Sequence, residues 1–129
     1  MTDISTHSEL SGEPGRARDA LIALRTGCHI LVATQGVDLS MRQIAILLTV
    51  YLTGEAATVR GLSATLEISK PAVSRALDRL ADLGLVRRKI DESDRRNVLI
   101  QRTVKGSVFL NDLGEILANA FANRARSAA

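Results

Sequence analysis

The chain has 129 residues, 46% of them apolar and 24% charged, with Tyr51, Phe109 and Phe121 as its only aromatics and a formal charge of +3. That is one domain's worth of chain with an aliphatic core. A lone Cys28 excludes a disulfide framework and any multi-cysteine metal site, and His7 and His29 have no partners at ligand spacing, so no cofactor or metal is expected. No apolar run approaches the roughly 18 residues of a membrane span, and the first residues lack a basic-then-apolar signal pattern. The expectation is a cytoplasmic protein with no membrane partner.

Residues 1–17 are polar and carry Gly12, Pro14 and Gly15 as breakers, so a disordered tail is expected there. A helix is expected from about residue 18 to Gly36, with Leu21, Leu24, Cys28, Leu31 and Val32 recurring on one stripe. Gly27 in its middle costs about 1 kcal/mol against alanine, tolerable where a neighbour packs close. Ser40 is placed to cap a second helix with Ile44, Leu47, Leu48 and Tyr51 inward and Gly54 beyond its end. A short third helix fits Gly61 to Leu66, entered through Thr58-Val59.

Ser69 reads as the N-cap of a fourth helix, and Pro71 falls in its first turn, where a missing N–H costs nothing. That helix runs to about Leu83 and stops at Gly84. Val73, Leu77 and Leu80 cluster within roughly 60° of arc on its inner face. Pro71, Arg75, Asp78 and Asp82 lie opposite, with Ser74 and Arg79 on the flanks. After Gly84 the period becomes that of strands, at Leu85–Ile90 and Asn97–Arg102, joined by the charged loop 91–96. A last helix begins at Thr103 or Val104, with Val108, Leu110, Leu113, Ile116, Leu117, Ala120 and Phe121 as its stripe. The tail from Asn123 is expected to fray.

A short helix, a turn, a helix with a polar outer face and a hairpin with an arginine tip make a winged helix-turn-helix. The fold class is mainly α with a small β-hairpin wing. From Arg60 to Lys105 there are eleven basic residues against six acidic ones, so the positive excess lies on this part of the chain. Lys70, Ser74, Arg75 and Arg79 have the reach to read a major groove, where arginine can pair bidentately with guanine. The hairpin tip can enter a minor groove or lie along the backbone. Double-stranded DNA is the partner this pattern implies. Surface pairing of Arg75 and Arg79 with Asp78 and Asp82 is the competing explanation for those charges.

The run Thr58–Arg88, with Ser74-Arg75, Leu80, Gly84-Leu85-Val86 and Arg88, resembles the MarR family of winged-helix regulators. Asp91, Asp94 and Arg96 in the hairpin loop and Thr103 and Gly106 after it resemble the same family, over about Leu39 to Gly106. The resemblance implies a single winged-helix domain over 18–129. It would have a DNA-binding core at 39–106 and dimerisation helices at 18–36 and 106–126. Lys70, Ser74, Arg75 and Arg79 would fall on the recognition helix. Arg96 would be the wing arginine, with Asp94 as its supporting acid and Arg95 and Arg88 as phosphate contacts. A homodimeric repressor of a pseudo-palindromic site, with an unknown small-molecule effector, is the function implied.

The chain departs from the family in reading Arg102 where a leucine is usual, and it is expected to lack a second C-terminal helix. The resemblance also raises oxidant sensing at Cys28, but its place on the stripe favours a small buried hydrophobe. A winged helix used only for protein contact or dimerisation is the alternative function. No nucleophile elbow, P-loop or zinc-protease motif is present, so an enzyme is not expected.

Overall fold

The computed structural model describes residues 15–33 and 36–128. Five helices are found there: α1 (Arg16–Ala33), α2 (Met41–Leu52), α3 (Val59–Leu66), α4 (Lys70–Asp82) and α5 (Val104–Ala128). Three strands accompany them: β1 (Ala57–Thr58), β2 (Val86–Ile90) and β3 (Val98–Arg102). The described residues fall into two compact units, one of those up to Asp38 with those from Asp112, the other Leu39–Asn111. The tail expected at 1–17 lies, through residue 14, outside the described residues; Arg16 and Ala17 are already helical. No helix among the described residues is long and apolar enough to cross a membrane.

Within Leu39–Asn111 the helix ends follow local chemistry. Ser40 closes a capping box on α2: its hydroxyl accepts from Gln43 N–H at 3.1 Å, while Gln43 Oε1 accepts from Ser40 N–H at 2.9 Å. Thr58 caps α3 and Ser69 caps α4 through their hydroxyls. Glu67, at φ 54°, turns the chain between α3 and α4. Helix α4 ends in a Schellman motif, with Leu85 N–H on Leu80 C=O and Gly84 N–H on Ala81 C=O, both 2.9 Å, and Gly84 at φ 76°.

The core of this unit is formed by Ile46, Leu47 and Val50 of α2, Leu62 of α3, Val73, Leu77 and Leu80 of α4, and Leu85, Val86 and Ile100 of the sheet. Ile44, Leu48 and Tyr51, expected as inward residues of α2 beside Leu47, are only half-buried. The deepest line is Ile46, Leu47 and Val50, because the face is set by what packs on it rather than by the residues' own spacing. The hairpin pairs Ile90 with Val98 through Val86 with Arg102. Beyond the two expected strands, β1 pairs antiparallel with β3 and makes a three-stranded sheet of order β1-β3-β2.

Tyr51 joins the end of α2 to two other places. Its hydroxyl donates to Leu85 C=O at 2.6 Å and accepts from Thr103 N–H at 3.0 Å. The Thr103 hydroxyl donates to Gly84 C=O at 2.7 Å and caps α5 by accepting from Gly106 N–H at 3.0 Å. Arg102 covers the other side: it donates to Val50 C=O at 3.2 Å and Thr53 C=O at 2.6 Å, with its guanidinium 5.9 Å from the Tyr51 ring centroid. The residue that departs from the family's leucine therefore caps the C-terminus of α2.

In the other unit, α1 buries Ala23, Gly27 and Leu31, while Leu21 and Leu24 (each 55% exposed), Val32 and Cys28 face outward. Cys28 is thus not the buried residue that its place on the stripe predicts. The cause is Gly27: a Cβ there would sit 2.9 Å from Leu117 Cδ2, so the small residues make the close contact and the larger ones flank it. In α5, Phe109 is buried although the expected stripe passes it by, Val108 is exposed, and the backbone stays helical past Asn123 to Ala128.

A Cβ at Gly106 would collide with the Tyr51 hydroxyl and Leu85 C=O. Gly106→Ala should therefore cost about 2–3 kcal/mol through overpacking. Tyr51→Phe should cost about 2 kcal/mol by leaving Thr103 N–H unpaired. Both are read from urea unfolding midpoints, and an unchanged midpoint in either variant would refute the role given to that hydroxyl.

Candidate nucleic-acid interface

Helix α4 is divided lengthwise. Ala72, Val73, Ala76, Leu77 and Leu80 are buried, and Lys70, Pro71, Arg75, Asp78 and Arg79 are exposed. The buried line holds the helix, leaving Lys70, Pro71, Arg75 and Arg79 exposed on the opposite side. Ser69 at the N-cap and Pro71 in the first turn leave a positive helix end on the same outer surface as Lys70. Among the described residues, Arg75 and Arg79 form no ion pair with Asp78 or Asp82. Asp78 is taken instead by Arg88.

The wing tip is folded by two aspartates in succession. Asp91 Oδ1 accepts from Ser93 N–H at 3.0 Å and from Ser93 Oγ at 2.6 Å. Asp94 Oδ1 accepts from Arg96 N–H and Arg96 Nε, both at 3.2 Å. Each is an Asx turn, the side chain receiving the N–H two residues on. Backbone bonds from Asp94 N–H to Asp91 C=O and from Asn97 N–H to Asp94 C=O close the tip. Arg96 stays 85% exposed while its root is held by Asp94, and Arg95 is exposed beside it.

Between α4 and the wing lies a groove of about 220 Å³ lined by Val59, Arg60, Lys70, Ser74, Arg96, Asn97 and Val98. Three cations from three elements, α3, α4 and the wing tip, surround it. The structure brings Lys70, Ser74 and Arg96 of the expected residues to this groove, with Arg75 and Arg79 farther round the outer face of α4. Arg95 lies on the wing tip. Arg88 does not face outward: its guanidinium lies on α4, bonded to Asp78 and Ser74.

Arg60 and Asn97 were missed in the sequence. Arg60 sits two residues after the Thr58 cap, in the first turn of α3, a position at which a cation opposes the helix dipole and so has no local reason to be. That is the signal by which it could have been found. Among the described residues, no three His, Cys, Asp or Glu side chains come together to hold a metal ion.

Residues 37–97 match the model of the MarR family. The chain is similar to the transcriptional regulator BldR from Sulfolobus solfataricus, at 26% identity and TM-score 0.61, covering 100% of this chain and 88% of that one. It is similar to a MarR transcriptional regulator from Methanosarcina mazei Go1, at 26% identity and TM-score 0.61, over 87% and 80% of the two chains. A MarR family protein from Bacillus stearothermophilus shares the fold, at TM-score 0.71 and 23% identity, over 100% and 86%. None of the curated proteins matches the chain.

The Ser93 hydroxyl, then the Ser93 N–H, holds the Asp91 carboxyl below the ordinary carboxylate range. A lowered folded-state pKa contributes stability that is complete above the ordinary value and lost as pH falls through the lowered one. The tip should therefore keep its turn down to the bottom of the carboxylate range. Ser93→Ala should move the Asp91 titration upward, as read by carboxyl-carbon NMR, and an unmoved midpoint would exclude the Ser93 hydroxyl as the cause.

Proposed function

We propose, on the match of residues 37–97 to the MarR family model and the winged helix-turn-helix fold, that the chain is a sequence-specific regulator of transcription, a homodimeric repressor bound to a pseudo-palindromic site in double-stranded DNA. It acts by binding and has no catalytic step. The observation that carries this reading is the groove between α4 and the wing, with Arg60, Lys70 and Arg96 around it and Arg75 unpaired on the adjoining outer face.

The outer face of α4 enters the major groove, with Lys70, Ser74 and Arg75 toward base edges and Arg79 toward the phosphate backbone. The wing lies along the flanking minor groove. Arg96, held at its root by Asp94, enters it, where the negative potential favours a guanidinium. Arg95 and Arg60 contact phosphate. The DNA-binding part is the unit Leu39–Asn111, and α1 with the C-terminal part of α5 supplies the dimer interface.

The homodimer is supported by the outward stripe of α1. Leu21, Leu24, Cys28 and Val32 are exposed at helical spacing, next to the buried line of Ala23, Gly27 and Leu31, and Phe121 of α5 is 48% exposed. A second copy covers these apolar side chains. Binding to a pseudo-palindrome requires the two α4 helices of such a dimer to lie about 34–36 Å apart, one turn of DNA. A regulator of this kind works in the cytoplasm, and release by a small-molecule effector would relieve repression.

A selection from random duplexes should return an inverted repeat with half-sites about one turn apart. On that duplex, Arg96→Ala should weaken binding about tenfold. Arg75→Ala should relax base preference at its own position by about 1–3 kcal/mol. Leu24→Glu should shift the solution mass from dimer to monomer and weaken the inverted repeat far more than a half-site. Failure to enrich any duplex at low salt would end the DNA-binding reading, and a monomeric unaltered protein would end the homodimer.

A further inference from the structure

Arg88 stands in the middle of β2, opposite Ile100 of β3, and its side chain crosses to the recognition helix. Nη1 donates to Asp78 Oδ1 at 2.6 Å, while Nη2 donates to Ser74 C=O at 2.8 Å and to Ser74 Oγ at 3.0 Å. The side chain is only 30% exposed, and its Nε–H is buried with no acceptor. A phosphate-facing arginine presents its N–H groups to solvent. This one gives two of its nitrogens to a single helical turn and leaves the third unpaired, a cost borne only where the packing around it dictates the geometry.

The bond to Ser74 Oγ has a chemical consequence. A serine hydroxyl has two lone pairs and one hydrogen. A charged donor occupies one lone pair from the β2 side, and among the described residues the hydroxyl hydrogen has no acceptor. With Arg88 donating to the oxygen, that hydrogen is left for another acceptor, and Ser74 lines the groove with Lys70 and Arg96. Ser74 is thereby set as a donor toward whatever occupies the groove.

We infer that Arg88 is a positioning residue for base recognition: it ties the base of the wing to the middle of α4 and turns the Ser74 hydroxyl outward as a hydrogen-bond donor. The inference rests on the DNA-binding reading. Such a donor selects acceptors on the major-groove edge, namely guanine N7 or O6, adenine N7 or thymine O4, over the amino groups of cytosine and adenine.

The test uses the full chain and a duplex selected by the unaltered protein, with single-base variants of that duplex, over a range of salt. Arg88→Met, Asp78→Asn and Ser74→Ala should each lower discrimination at the same base pair by about tenfold. The salt slope of Arg88→Met should match that of the unaltered protein. A phosphate contact makes the opposite forecast. Arg88→Met would then lower the slope by about 0.9 and weaken all sequences alike, and Asp78→Asn, by removing a negative charge, would tighten binding to every duplex. That pattern overturns the inference while leaving DNA binding intact. If Arg88→Met unfolds, Asp78→Asn and Ser74→Ala decide between the same two patterns. If the unaltered protein selects no duplex, the DNA-binding reading falls, and this inference falls with it.

Discussion

One phenolic oxygen fixes where α4 ends and where α5 begins. The Tyr51 hydroxyl lies between Leu85 C=O, just past α4, and Thr103 N–H, just past β3. Thr103 then reaches back to Gly84 and forward to Gly106, so the turn after α4 and the start of α5 share a single set of polar partners. All of these are backbone groups at element ends, where the regular pairing of helix and sheet runs out. Gly106 is glycine because the hydroxyl occupies the space a side chain would need. With Arg102 on the last carbonyls of α2, the clamp anchors the end of α4 and the end of β3 without using any exposed side chain of α4.

That economy is what makes the exposed face available. The five buried residues of α4 supply its packing, and the Schellman motif satisfies its last carbonyls. The outer face has one intramolecular task, to receive Arg88. Two kinds of arginine therefore coexist within a few residues. Arg88 is drawn inward by an acid and a carbonyl on the helix, while Arg96 is held only at its root and keeps its charge in solvent. Type and sequence position do not distinguish them; the partners that come within reach after folding do.

The same contrast explains what could be read before the structure was known. Ser40, Ser69, Pro71 and Gly84 mark helix ends because capping is decided within three or four residues. The two strands of the hairpin follow from local alternation, while the pairing of Asp94 with Arg96 was implied by the family resemblance. The two-residue strand β1 has no local signature and exists only through its pairing with β3. The outward turn of Cys28 follows from the close contact of Gly27 with Leu113 and Leu117, some 90 residues away in sequence. Arg60 carried a local signal, a cation in the first turn of α3, but its place beside the wing is set only by folding. Phe109 was passed over because a periodic stripe with Val108 in it looked complete.

The tandem Asx turns give the wing tip a kind of modularity. Its shape is written by the carboxylates of Asp91 and Asp94 acting on backbone two residues ahead, with little help from the rest of the molecule. Glu92 and Arg95, each lying just after one of those aspartates, are exposed and free to change without altering the path of the chain. The charge and reach of the wing can therefore be altered at these two positions while the backbone that presents them stays the same.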